Sequence, residues 1–239
     1  MNILITAGGT SELIDKRYKL YTKSYDNSSL ASKIADQLLF RDKIADQIEN
    51  LFYIYTPDAT LVPVKSNKVK YIKVTDVMSF VDALKIIYEE NTIDYCIHLM
   101  NISIYYIDYR TDADSLYYDI NKYENDSIKN IILAGHSRQN REEDYMYNDC
   151  IVVFKPSPNI EKFIKETSPN TILFKYCQTF DRSIGTANAL SYYDNVYTII
   201  DYLNRFQLMS NKLKSSDEFK TEYEISSYIA HFIYKDITL

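Results

Sequence analysis

The chain opens on an apolar run, Ile3-Leu4-Ile5, that stops at Gly8-Gly9 and passes at once into Thr10-Ser11-Glu12. A short apolar run ended by turn residues predicts a buried strand. Similar runs recur at Leu51 to Tyr55, closed by Thr56-Pro57, at Val69 to Val74 and at Ile93 to Met100. Between them the spacing turns helical. Ile34, Leu38, Phe40, Ile44, Ile48 and Leu51 approximate one helix face over roughly Leu30 to Asn50, and Ser28 or Ser29 is placed to cap it. Asp76 is placed to cap a second helix through Val77, Phe80, Val81, Leu84 and Ile87, ending near Asn91. Strands alternating with helices predict an α/β fold, Rossmann-like, with three αβα layers and a mainly parallel sheet.

Past Met100 the pattern changes. From Asn101 to about Asn130 it is polar and tyrosine-rich, includes Asp108-Tyr109-Arg110, and reads as a flap. Ile128 to Ala134, Cys150 to Phe154, Thr171 to Lys175 and Val196 to Ile200 read as strands, and Arg138 to Asp149 as a loop or hairpin tip. Helices are expected after Lys155-Pro156-Ser157-Pro158-Asn159, near Thr186 to Tyr193, and from about Glu224 to Tyr234 after two weaker strand-like pieces. No linker divides the sequence, so residues 1–239 read as a single domain.

Composition narrows the function. A formal net charge of −6 argues against a broad nucleic-acid or anionic-membrane surface. No apolar run approaches the roughly 20 residues of a membrane span, and the first strand begins too early for a signal peptide. Cys96, Cys150 and Cys177 are scattered without a CxxC pair and read as free thiols of a reducing cytosol, which points to a cytoplasmic protein. The 24 tyrosines accompany abundant Lys, Asn and Ile, all with A/T-rich codons, so they are not read as a binding surface.

The candidate chemistry starts at Gly8-Gly9, half of the chain's four glycines. Glycines there permit positive φ and close approach to bare N–H groups, and Thr10 and Ser11 add hydroxyls. Such a turn suits a phosphate or carboxylate; a plain β-turn is the alternative. In parallel α/β folds ligands sit at the carboxyl ends of strands. The tails of the first strand and of the strand ending at Met100 are therefore expected to face the site. His98 reads as a satisfied core residue and His231 as part of an amphipathic helix. Neither argues for zinc, and no nucleophile-elbow spacing occurs.

Ile3-Leu4-Ile5-Thr6-Ala7-Gly8-Gly9-Thr10-Ser11-Glu12, with Ile14-Asp15 and Arg17, resembles the start of the phosphopantothenate–cysteine ligase family, which reads GGT-x-E-x-I-D-x-V-R. The short stand-alone bacterial form is the most similar. Ile97-His98-Leu99-Met100 resembles the strand before the family's A-V-x-D-Y segment. Lys155 to Ile160 resembles its K-x-P-x-I turn, and Leu173-Phe174-Lys175 its G-F-K strand. The order and spacing cover nearly the whole chain. The resemblance implies a Rossmann-like homodimer with a dimerisation segment. It also implies a two-step reaction in which CTP, or ATP, with Mg²⁺ activates 4′-phosphopantothenate as an acyl-nucleotide that the amine of cysteine attacks. Carried over by position, the nucleotide contacts are Gly8, Gly9, Thr10, Ser11, Asp108, Lys155, Pro158, Asn159, Phe174 and Lys175. The substrate contacts are Arg17, Thr22 and Ser24, and the catalytic candidates are Asn27, Asp108 and His136.

Several positions depart from the family pattern. The loop T-N-x-S-[ST]-G-x-[LM]-G is replaced by Leu20 to Ser29 without a glycine. Thr22 or Asn27 takes the place of its asparagine. The A-V-x-D-Y aspartate falls on Ile104 without gaps, or on Asp108 with a short insertion that matches D-Y-R. The K-I-x-S lysine falls on Gly135, beside His136 and Arg138. Two later lysines fall near Asn188 and Tyr192, and A-N-D becomes Ile200-Asp201-Tyr202. Each charge-assisted phosphate contact contributes about 1.5–3 kcal/mol, so such losses require replacements, for which Lys16, Lys19, Lys23, Lys155 and Lys175 are available. The rival expectation is an inactive relative that binds a nucleotide or a partner. A dinucleotide enzyme is disfavoured by the absence of GxGxxG.

Overall fold

The computed structural model describes residues 1–13, 19–21, 28–112, 150–179, 181, 191–203, 205–211 and 218–238. The chain divides into two compact units. One comprises Met1–Ser11, Tyr21–Ser103 and Pro158–Leu239; the other comprises Glu12–Leu20 and Ile104–Ser157. In chain order the elements are β1 (Asn2–Ala7), β2 (Ser11–Leu13), β3 (Lys19–Tyr21), α1 (Ser28–Phe40), α2 (Asp42–Ala45), β4 (Asn50–Tyr55), β5 (Val69–Lys73), α3 (Val77–Glu90), β6 (Tyr95–His98), β7 (Tyr105–Asp112), β8 (Cys150–Pro156), α4 (Ile160–Thr167), β9 (Ile172–Gln178), β10 (Val196–Asp201), β11 (Phe206–Ser210) and α5 (Glu222–Thr238).

The larger unit is built on a seven-stranded sheet of order β11-β10-β9-β6-β1-β4-β5. Every pairing is parallel except β10 with β11. Side chains alternate between faces along each strand. Ile3, Ile5 and Ala7 share one buried cluster with Leu30, Ile34 and Leu38 of α1 and Ile225 and Ile229 of α5. On the opposite face Phe80 of α3 stacks on His98 at 5.7 Å between centroids, and Tyr88 of α3 meets Phe163 of α4 edge-on. Helices thus cover both faces, giving the Rossmann-like three-layer arrangement expected from the alternation.

Local chemistry accounts for most boundaries. Asp76 caps α3, as the sequence led one to expect, and Ser79 completes a reciprocal capping box with it. The expected helix over Leu30 to Asn50 is instead two. Arg41 leaves helical geometry (φ −87°, ψ 101°), and its guanidinium donates to Ser227 of α5 at 2.6 Å. Ser28 is the first helical residue; its hydroxyl accepts the N–H of Thr60 at 2.9 Å. In both places a tertiary contact overrides the local pattern.

In the smaller unit β7 and β8 pair antiparallel. The start of the stretch expected to be a flap is therefore regular strand. Its alternating Tyr105, Ile107 and Tyr109 find register partners in Pro156, Phe154 and Val153. The expected strand at Ile128 to Ala134 and the loop at Arg138 to Asp149 lie outside the described residues. So does most of the helix expected near Thr186 to Tyr193; residues 191–193 are not helical.

Candidate functional site at the carboxyl ends of β1 and β6

The order of the large sheet reverses at its centre. From β1 the chain proceeds outward through β4 and β5, and from β6 in the other direction through β9 and β10. Ligands of open α/β sheets bind outside the strand ends at such a reversal. The two tails that the sequence points to do meet there. Gly9 and Asn101 form a parallel bridge, Asn101 N–H donates to Gly8 O at 2.9 Å, and Thr10 N–H donates to Asn101 O at 3.0 Å.

Gly8 is required by geometry. Its φ is +93°, and a Cβ there would stand 2.0 Å from Thr56 Oγ1 and 3.1 Å from Ala59 Cβ. The absent side chain makes room for the turn after β4. Gly9 N–H donates to Thr56 Oγ1 at 3.2 Å, whose own hydrogen goes to Asp58 Oδ1 at 2.9 Å. Ser11 N–H donates to Thr75 O at 2.8 Å. Thr10 is buried, and its hydroxyl accepts the N–H of Ser103 at 2.9 Å. Three successive N–H groups expected to form an anion cradle are thus committed to protein oxygens. The turn is a clasp that joins the tails of β1, β4 and β6.

A polar row runs beside this clasp. The register sets Thr6 next to His98, His98 next to Lys175, and Lys175 next to Thr198. Thr6 Oγ1 accepts Met100 N–H at 3.1 Å and shares a 2.8 Å hydrogen bond with His98 Nδ1. Burial holds the His98 imidazole down to about 4, so it is neutral at pH 7. Lys175 Nζ lies 2.7 Å from Glu161 Oε2, and Glu161 Oε1 accepts the hydroxyl of Ser191 at 2.5 Å.

The remaining expected residues fall out as follows. Pro158 is exposed at the entrance to α4, and Asn159 caps that helix, its Oδ1 accepting Lys162 N–H at 3.0 Å. Phe174, carried over as a nucleotide contact, is instead fully buried, stacked on Tyr197 and edge-on to Phe232. It is a core ring on the α5 face. In the smaller unit, Asp108 sits at the irregularity between Ile107 and Tyr109 in the β7–β8 ladder. Bulges of this kind re-aim a side chain. Asp108 pairs with Lys155 at 2.8 Å, and this contact holds the Lys155 amine above its ordinary value. Glu12 is buried and accepts Ile107 N–H at 3.2 Å. Arg17, Thr22, Ser24, Asn27 and His136 lie outside the described residues.

Thr56 and the Thr6–His98 pair are the residues that sequence reasoning missed as members of this region. A signal was present: Thr6, His98, Lys175 and Thr198 are polar positions in otherwise apolar strands. The buried Cys96 thiol is pushed up to about 12 by its surroundings, which leaves it inert at neutral pH. Among the described residues no group of three or more His, Cys, Asp or Glu could hold a metal ion. No described helix is long and apolar enough to cross a membrane.

Fold and site together define the class: a Rossmann-like α/β protein whose polar groups gather at the central reversal of its sheet. No protein-family model and no curated protein matches the chain. Solved structures do match, along nearly their whole length. The DNA/pantothenate metabolism flavoprotein from Streptococcus pneumoniae superposes with a TM-score of 0.68 at 19% identity, over 98% of this chain and 99% of that one. The C-terminal domain of the coenzyme A biosynthesis bifunctional protein CoaBC does so with a TM-score of 0.56 at 14% identity, over 99% and 93%. A Cab2 variant in complex with phosphopantothenate-cysteine gives 0.63 at 12% identity, over 98% and 85%. The chain therefore has a phosphopantothenate–cysteine ligase-like fold, as its motif order led one to expect.

Proposed function

We propose that this chain is a nucleotide-dependent ligase that joins cysteine to 4′-phosphopantothenate through an acyl-nucleotide, with CTP, or ATP, as the activating triphosphate. The observation that carries this reading is a fold shared over 98% of the chain with a protein solved in complex with phosphopantothenate-cysteine, the compound this reaction would form. In this reading the nucleotide lies across the carboxyl ends of β1 and β6. Gly9, Ser11, Pro158, Asn159 and Lys175 are its proposed contacts there, with Gly8 and Thr10 behind them. Thr10 and Gly8 act by fixing the turn, and Lys175 by exchanging Glu161 for a phosphate. Asp108 and Lys155 remain assigned to the nucleotide, and Arg17, Thr22, Ser24, Asn27 and His136 to substrate and catalysis, from the resemblance. Mg²⁺ is usually held by substrate phosphates with only one or two carboxylates, so it would arrive with the triphosphate. The proposal includes a cytoplasmic homodimer acting on small molecules.

One observation favours a second reading. Lys175 and Lys155 already hold carboxylates, and the N–H groups of Gly9, Thr10 and Ser11 already hold oxygens. A catalytically inactive relative that binds a nucleotide or a partner in a regulatory role would have this character. Calorimetric titration with CTP and then ATP, with Mg²⁺, separates the two. Micromolar binding weakened by Asp108→Ala, with pyrophosphate released on adding 4′-phosphopantothenate and cysteine, supports the ligase. Binding without pyrophosphate release supports the inactive relative. No heat with either nucleotide or with the acid sinks the ligase.

A further inference from the structure

A cleft of about 520 Å³ opens beside α5, and the ligase reading makes no use of it. Helical spacing places Tyr223, Ser227 and His231 along one row of α5, with Tyr228 on the adjoining row. Phe219 and Arg41 complete the wall. The rings of Phe219 and Tyr228 lie 4.9 Å apart. Arg41 is half-buried, and its guanidinium donates only to neutral acceptors, Ser227 Oγ at 2.6 Å and Gln37 Oε1 at 3.4 Å. Among the described residues no carboxylate pairs with it. The other strong charge on the lining, Glu224, is turned onto the backbone N–H of Lys220 at 2.6 Å. A guanidinium with no carboxylate partner among the described residues thus stands beside several aromatic rings, with Glu224 engaged elsewhere on the lining. Small-molecule sites commonly combine an apolar wall with a few polar anchors in this way.

We propose that this cleft binds a small aromatic monoanion, a carboxylate on a flat ring. The carboxylate meets the fork of Arg41, whose planar donors match it in two-point geometry. The ring lies against Tyr223, Tyr228 and Phe219. With Arg41 the only cation among the lining residues and Glu224 opposing it, each further negative charge on a ligand adds repulsion without a new partner, which disfavours a nucleoside triphosphate.

The test uses the full chain and 2-naphthoate as probe, with neutral 2-naphthamide as control, by calorimetry and saturation-transfer NMR. Naphthoate is expected to bind saturably at one site and naphthamide about tenfold more weakly. Arg41→Gln should bring naphthoate down to the naphthamide level. Tyr223 is 62% exposed, so Tyr223→Ala keeps the fold and should weaken both probes by about threefold. CTP should not compete. The proposal is overturned if naphthoate shows no saturable binding up to about 5 mM, if Arg41→Gln binds it unchanged, or if CTP displaces it. Should Arg41→Gln fail to fold, Tyr223→Ala decides: unchanged naphthoate binding overturns the assignment. The triphosphate titration reads the ligase proposal separately.

Discussion

Two lysine networks lie along α4, one near each end, and they are built differently. Near its carboxyl end Lys165 is 3% exposed, and its ammonium donates to Pro169 O at 2.6 Å, Thr171 O at 2.7 Å and Asn195 Oδ1 at 2.5 Å. Burial lowers its pKa, and every acceptor is neutral. Near the other end Lys175 meets a carboxylate, Glu161, which Ser191 also holds. Pro169 O and Thr171 O also accept from the Asn195 amide, at 3.1 Å each, so the Lys165 network is a closed scaffold. A carboxylate is itself an anion, so in the proposed ligase a phosphate would take the place of Glu161 on Lys175.

The comparison is broken most severely at the scaffold end. Lys165→Met removes three charge-assisted hydrogen bonds and takes the ammonium from Asn195 Oδ1, while Pro169 O and Thr171 O keep the Asn195 amide; it should cost about 3 kcal/mol. This would appear as a lower urea midpoint at unchanged slope. A loss no larger than that of a surface substitution would mean that the network contributes nothing. Gly8→Ala at the site end should cost about 2 kcal/mol, from a positive φ and a Cβ driven into Thr56. Adding Thr56→Ala should recover only part of this, because the φ strain stays.

His98 sharpens the contrast through pH. Its ordinary pKa is 6.5, and the folded protein holds it down to about 4, so the folded state resists the proton. Its contribution is complete above 6.5 and is lost as the pH falls through 4, at up to about 1.4 kcal/mol per pH unit. His98→Asn should flatten that part of the stability curve between neutral and mildly acid pH. The smallest effect is the most telling. Glu161→Gln should change stability by about 1 kcal/mol or less while tightening CTP binding by roughly threefold to tenfold, because Lys175 is released. Calorimetry that finds weaker CTP binding in this variant would place Lys175 with the scaffold lysines.

Much of the fold was legible because its signals are local. Apolar runs closed by Gly8-Gly9 or Thr56-Pro57 gave strands, and Asp76 before a helical spacing gave α3. The break at Arg41 was not legible, since the partner that its guanidinium meets there, Ser227, lies far along the chain. At the site, the need for a glycine at position 8 could be read, but not its purpose, which depends on Thr56 in another strand's tail. Lys175 and Phe174 are neighbours in one motif, yet alternation sends one to a polar row and the other into the core. The row from Thr6 to Thr198 arises from the register of four strands, and no window of sequence contains it.

The central place of β1 has a kinetic consequence. Ile3 pairs with Leu51 on one side and with Tyr95 on the other. Closing loops of that length costs entropy before any pairing returns it, which makes such sheets slow to form. At a synthesis rate of about 5–20 residues per second, the first strand waits on the order of ten seconds for β6 to be made. During that interval Ile3-Leu4-Ile5 lacks first both neighbours and then, once β4 is made, still one of them. This segment, fully buried at the end of folding, is apolar surface open to wrong contacts at its beginning.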